Sequence, residues 1–403
     1  MRNRWFIALA AIGLHISIGS VYAWSVLTCP IMADMGFTLS QTTWTFSLAI
    51  LILGLSAGFL GSFAEKIGPK KSGLLAMLFW VTGLLGTAYA LSIHNLTLLY
   101  LFYGIIGGIG LGIGYITPVS TLVKYFPNRP GFATGLAIMG FGFASLIAGP
   151  LMQYLVAQVG LVDTFIILGV IYLVIMSASS LYLKAPQPKH PTRTTKDKST
   201  MYVHTHGMLA NDAMKTWQFG ALWWVFFINI TCGIGLLSLA SPMAQEAIGM
   251  TPTAAASLVG IIGIFNGGGR IAWSTISDYL GRAQTYILFF IIQIIAFYLL
   301  AETNSVLTFQ ILILLIITCY GGGFSCMPAY LADLYGIRQL STIHGRILTA
   351  WGLAGIAGPM LVSYFHEAGY GYTTALLCFA LLFVLNTIIA IILKIYGKRG
   401  LHN

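Results

Sequence analysis

Apolar runs of about twenty residues follow one another along the whole chain. Each is long enough to cross a ~30 Å hydrocarbon core as a helix. Twelve are legible, at about 5–28, 44–64, 73–93, 97–122, 132–158, 163–184, 218–243, 254–277, 284–301, 306–332, 343–366 and 371–396. Inside lipid, backbone N–H and C=O groups find no water, so such runs must satisfy their hydrogen bonds internally, as helices do. Only 7% of the residues are charged, against roughly 25% in soluble domains. These observations predict an all-α, polytopic membrane protein with twelve transmembrane helices. The first run follows a basic start, Arg2 and Arg4, as a secretory leader does. It continues to Leu27 without a small-x-small cleavage site and is therefore expected to be a retained first helix. The five cysteines lie in or beside apolar runs with no paired spacing and are expected to pack as small hydrophobes, with no metal or cofactor site implied.

The formal charge of +10 raises the possibility of nucleic-acid binding, but its distribution points to a bilayer. With the N-terminus inside, nineteen of the twenty Lys and Arg residues fall in inward-facing segments and none in the outer loops. That is a positive-inside pattern, which predicts both termini on the cytoplasmic side of a cell inner membrane. The twentieth is Arg270, in the stretch AAASLVGIIGIFNGGGRIAWSTI of run eight. All ten acidic residues are accounted for at one membrane face or the other, so no carboxylate remains at the depth of Arg270. A buried guanidinium costs about 3 kcal/mol on insertion scales. Arg270 lies about seven residues, or roughly 10 Å, from the inner end of its helix, and its side chain leans toward the membrane centre, so it cannot easily snorkel. Two readings follow: an arginine held by backbone carbonyls and hydroxyls, or an anion site in which a substrate carboxylate supplies the counter-charge.

The polar segment 185–216, rich in Pro, Thr and Lys, separates 1–184 from 217–403 and reads as a cytoplasmic linker. Its histidines, His190, His204 and His206, could ligate a metal but fit a solvated linker better; Leu209–Trp217 is a candidate surface helix. The two flanking halves repeat one another. Gly61-Ser-Phe-Ala-Glu65-Lys66-Ile67-Gly68-Pro-Lys70 echoes Ser274-Thr-Ile-Ser-Asp278-Tyr-Leu280-Gly281-Arg282. Pro118 matches Pro328, and Ala148-Gly149-Pro150 matches Ala357-Gly358-Pro359. An even number of crossings per half makes this a parallel repeat. Two six-helix halves with an acidic–basic–Gly turn in each resemble the major facilitator superfamily. The resemblance implies two pseudo-symmetric six-helix bundles rocking around a midplane site. It also implies a helix-end latch, which falls on Glu65, Lys66, Lys70, Asp278 and Arg282.

Asn266 lies one turn before Arg270 on the same helix face, a neutral donor and acceptor beside the guanidinium. Gly267, Gly268 and Gly269 leave a smooth surface for a ligand or for tight helix packing. Tyr22, Trp24, Tyr115, Tyr320, Phe324 and Trp351 stand near mid-depth on other runs, where they either wall a cavity or pack the core. His15, central in the first run, is either a satisfied core histidine or a proton carrier.

Tyr22-Ala23-Trp24, the Gly-rich fourth run ending Lys124-Tyr-Phe-Pro127-Asn-Arg129-Pro-Gly131, and Asn266-Gly-Gly-Gly-Arg270…Ser277-Asp278 resemble the oxalate/formate antiporter family. They are also similar to the monocarboxylate transporters for lactate and pyruvate. The resemblance implies that Arg270 binds a substrate carboxylate and that Tyr22 and Tyr115 touch it. Two departures are informative. Where the oxalate-type exchanger has a second site cation, a lysine, this chain has Trp351, which favours a monoanion over a dianion. Where animal monocarboxylate carriers have an aspartate before the arginine, this chain has Asn266. The expectation is a secondary transporter of a small monocarboxylate such as lactate, pyruvate or formate, proton-coupled and functional as a monomer. Arg270, Asn266, Tyr22, Tyr115, Tyr320, Phe324 and Trp351 would form its site and His15 would be the candidate proton group. Anion exchange is the alternative. A membrane enzyme or receptor is disfavoured because no zinc spacing, nucleophile elbow or phosphate loop occurs. A carrier of neutral or cationic solutes conflicts with a lone arginine and no intramembrane acid.

Overall fold

The structure is a computed structural model that describes residues 3–125, 130–184, 207–336 and 339–397. Among these, helices account for nearly everything, and the only β pairing is an isolated bridge between Gly207 and Gly336. The first crossing is α1 (Arg4–Gly19), followed by one 3₁₀ turn, Ser20–Ala23, and α2 (Ser25–Met35). It is thus broken at the depth of Tyr22 and not the single continuous helix that the hydropathy suggests. Then come α3 (Leu39–Ile67) and α4 (Pro69–Ser92). Leu96–Leu99 leads through a π-helical stretch, Tyr100–Gly107, into α5 (Gly108–Tyr125). The long α6 (Pro130–Tyr182) is broken at Gly160, where φ is 82° and ψ 176°. Eleven described helical stretches are long and apolar enough to cross a membrane, and the break in α6 makes twelve crossings of them.

The second half holds α7 (Trp217–Ser238), α8 (Ala240–Glu246), α9 (Pro252–Leu280) and α10 (Arg282–Glu302). It continues with α11 (Val306–Tyr335), α12 (Leu340–Ile347), α13 (Thr349–Glu367) and α14 (Gly371–Tyr396). Helix starts are written locally. Thr38 and Gln41 form a reciprocal capping box on α3, and the Thr216, Thr251 and Ser305 hydroxyls accept from the amides three residues on. The surface helix anticipated over Leu209–Trp217 is a single turn, Ala210–Ala213.

The repeat read from the sequence is also conformational. Gly68 and Gly281 share one backbone state, φ 81°, ψ 162° and φ 90°, ψ 148°, each ending one crossing and starting the next helix at the following residue. A side chain at either φ would be strained, which is why glycine recurs there. The packing is that of a membrane protein: Phe59 and Leu381 are 73% and 70% exposed on the outer surface, while Asn229, Gln293 and Arg270 are fully buried.

The halves meet along two helix pairs, both lined by glycine. In α3 against α13, a Cβ on Gly54 would stand 2.5 Å from the backbone nitrogen of Gly352. In α6 against α9, a Cβ on Gly142 would stand 2.8 Å from the backbone of Gly267. Small residues permit such close backbone approach in lipid, where helix association rests on packing. At the end of the seam remote from the Gly68 and Gly281 turns, the Ser40 amide donates to Glu367 Oε1 at 2.7 Å and Ser363 Oγ to Thr43 Oγ1 at 3.2 Å.

Candidate functional site

Arg270 projects from the middle of α9 onto this seam and is 0% exposed. Its Nε donates to Asn266 Oδ1 at 3.1 Å, one helical turn back, as the i, i+4 spacing requires. Nη1 reaches across to the other half and donates to the backbone carbonyl of Ile138 on α6 at 3.5 Å. The guanidinium carbon sits 5.0 Å from the centroid of the Phe324 ring, a cation–π arrangement. Nη2 is buried with no hydrogen-bond partner. No carboxylate pairs with Arg270 among the described residues. A guanidinium carries five N–H donors in a fixed fork, and here the two on Nη2 are left without an acceptor.

Apart from Trp24, the aromatic residues singled out in the sequence converge here with Arg270 from five crossings and both halves. The Tyr22 and Tyr320 hydroxyls are 2.7 Å apart, bridging the halves, and both feel the charge of Arg270, as does that of Tyr115. Tyr320 stacks edge-on to Phe324 at 5.3 Å, Phe324 to Trp351 at 4.9 Å, and Trp351 to Tyr115 at 5.0 Å. Each of these rings is at most 2% exposed. The Trp351 indole nitrogen, like Arg270 Nη2, is a buried donor without a partner. Both orphan donors belong to side chains packed on the Phe324 ring.

Phe141 of α6 completes the cage and was not anticipated. Its ring is 4.8 Å from Tyr22, 5.6 Å from Tyr115 and 5.8 Å from Trp351, all edge-on. Nothing in the local sequence separates it from other apolar residues of that run; only the close α6–α9 approach brings it in. Trp24, by contrast, packs away from the site on Tyr103, at 4.5 Å. Of the three glycines before Arg270, Gly267 is taken up by α6 and Gly269 by the backbone of Thr318 on α11, whereas a Cβ on Gly268 would meet nothing. The first two serve helix packing.

His15 lies behind Tyr115, ring centroids 5.4 Å apart. Its Nε2 is 2.9 Å from the carbonyl of Tyr115, and its Nδ1 contacts the carbonyl of Ala137, the residue beside the Arg270 acceptor Ile138. Both ring nitrogens thus face acceptors, and only an imidazolium has a proton for each.

At the turn of the second half, Arg282 donates to Asp278 Oδ1 at 2.5 Å and to Ser277 Oγ, and its Nε lies 3.5 Å from Asp333 on α11. Asp333 is a third member that sequence reading placed at a face without assigning it a role. In the first half, Lys66 and Lys70 are exposed, while the Glu65 side chain, like His190, His204 and His206 of the linker, lies outside the described set.

Comparison with known proteins agrees with this architecture. Residues 7–300 and 222–400 each match the family described as Major Facilitator Superfamily. The oxalate:formate antiporter of Oxalobacter formigenes is 26% identical over 94% of this chain and 88% of its own length. Human monocarboxylate transporter 14 is 22% identical over 96% of this chain and 90% of its own length. A bacterial homolog of the human lysosomal transporter Spinster, solved in an inward-facing and unoccupied conformation, superposes with a TM-score of 0.73 at 14% identity, covering 97% of both chains.

Proposed function

The chain belongs to the major facilitator superfamily, and on that premise we propose that it carries a small monocarboxylate, of lactate, pyruvate or formate type, across the cell inner membrane by alternating access. In this reading both termini are cytoplasmic and the monomer is the working unit. The observation that carries the proposal is the fully buried Arg270, at the seam between halves, with Nη2 unpartnered and no acid paired with it among the described residues. A substrate carboxylate would give Nη2 the acceptor it lacks, and Trp351 Nε1 offers a further donor for a keto, hydroxyl or second carboxylate oxygen. Asn266 holds the guanidinium by Nε, and the rings of Phe141, Phe324 and Tyr320 exclude water around it. Because Arg270 binds Asn266 in one half and Ile138 in the other, substrate at this point touches the joint that must open and close.

His15 is the proposed proton group. Binding a carboxylate alone, or a proton alone, changes the net charge of this dry site by one unit. Binding both leaves it unchanged, so each favours the other. In proteoliposomes, an inward proton gradient is expected to drive accumulation of labelled lactate or pyruvate. His15→Gln is expected to retain exchange while losing gradient-driven accumulation. Similarity to the oxalate:formate antiporter supports exchange as the second reading, with uptake that needs internal anion and ignores the gradient. Uptake by Arg270→Ala equal to that of the wild type would sink both.

A further inference from the structure

A cavity of about 370 Å³ opens at the turn between α3 and α4, where the end of α6 passes beside it. Lys70, Lys71 and Lys184 line it together with Ile67, Pro69 and Leu181. All three lysines are exposed, and their side chains make no ion pair among the described residues. The start of α4 adds to the positive field: Gly68 provides no side-chain cap, and Pro69 occupies the first helical position. Three cations around one small cavity repel one another, and an anion between them relieves that repulsion.

The equivalent turn of the second half differs. After Gly281 the chain continues Arg282, Ala283, Gln284, so the two lysine positions carry no charge. Arg282 is already held by Asp278 and Asp333. Among the described residues, the lysine cluster without an ion pair therefore belongs to the first half alone and is not a product of the repeat.

The cavity also has an apolar side. Ile67 and Leu181 end helices that cross the membrane, and the lipid-facing surface continues outward from both. Phe63, one turn before Ile67, is 47% exposed, and Val174, two turns before Leu181, is 63% exposed. A phosphate seated among the lysines would thus have hydrocarbon surface directly adjoining it. Basic pockets between helix ends on the inner face suit anionic headgroups.

We propose that the cavity formed by Lys70, Lys71 and Lys184 at the α3–α4 turn binds the phosphate headgroup of an anionic phospholipid of the inner leaflet, with its acyl chains along Phe63 and Val174. The site is separate from that of Arg270 and does not depend on which solute is carried. A lipid bound here bridges the α3–α4 turn to the end of α6, which stiffens that side of the first bundle.

The test is native mass spectrometry and thermal unfolding of the full chain in detergent, with added dioleoyl phosphatidylglycerol, dioleoyl phosphatidylcholine or inorganic phosphate. The wild type is expected to retain phosphatidylglycerol and be stabilised by it, and not by phosphatidylcholine. The double variant Lys71→Gln/Lys184→Gln is expected to bind phosphatidylglycerol roughly 30-fold more weakly. The charge-matched Lys215→Gln/Lys394→Gln variant is expected to bind like the wild type, and Lys71→Arg/Lys184→Arg to keep most of the affinity. Equal retention by the Lys71/Lys184 variant and the wild type overturns the site. An equal loss in the Lys215/Lys394 control means bulk charge and overturns it too, and stabilisation by inorganic phosphate alone overturns the lipid assignment.

Discussion

Arg270→Met separates a substrate-binding arginine from a structural one, because the two roles predict opposite effects on stability and binding. In the folded protein the guanidinium makes one good hydrogen bond, to Asn266 at 3.1 Å, one long bond, to Ile138 at 3.5 Å, and a cation–π contact with Phe324 at 5.0 Å. Hydrogen bonds from a charged donor contribute about 1.5–3 kcal/mol each, the long one at the low end, and a desolvated cation–π contact about 2 kcal/mol. Against these stands an effective desolvation cost of several kcal/mol for a buried ion, made worse by an unpartnered Nη2. The terms nearly offset, so methionine, which is of similar length and apolar, is expected to change unfolding stability by no more than about 2 kcal/mol. Substrate binding behaves differently. Removing one partner of a buried, hydrogen-bonded charge pair costs about 2–5 kcal/mol, or roughly 30- to 4,000-fold in affinity. The assay is thermal unfolding of purified protein with and without lactate or pyruvate, alongside uptake in proteoliposomes. Arg270→Met should melt close to the wild type and lose the ligand-induced shift, since a ligand stabilises only the state that binds it. A fall in stability above about 4 kcal/mol with ligand stabilisation intact would refute the reasoning and make Arg270 structural.

Three further outcomes follow from the same geometry. Asn266→Asp places a carboxylate on the Nε edge of Arg270, where it competes with substrate; uptake at neutral pH should fall at least about tenfold and recover on acidification, and a flat pH profile counts against it. Trp351→Lys introduces a second cation into the cage and should shift preference from mono- to dicarboxylates in a competition assay; an unchanged ratio means that charge count does not set selectivity. Gly142→Ala drives a Cβ to 2.8 Å from the Gly267 backbone, which cannot yield as a side chain can, so it should destabilise this arrangement of the halves by about 1–3 kcal/mol; an unaltered melting profile would argue against close α6–α9 packing.

Some of this protein was determined by its sequence alone. Run length specified membrane-crossing helices because lipid leaves a backbone no other way to satisfy itself. Placing every charged residue isolated Arg270, and the four-residue spacing set Asn266 beside it, since both statements concern a single helix. The Gly68 and Gly281 turns were legible for the same local reason: one backbone conformation admits only one residue type comfortably. What lies between helices was decided by tertiary structure. The break of the first crossing at Tyr22, the Tyr22–Tyr320 bridge and the reach of Arg270 to the Ile138 carbonyl all depend on how helices distant in sequence cross. So does the entry of Phe141 into the cage, which requires Gly142 and Gly267 to bring two backbones nearly into contact. Periodicity reports which face of a helix is apolar. It cannot say which other helix that face will meet, because in a membrane protein the buried and lipid-facing sides are both apolar and the choice falls to shape.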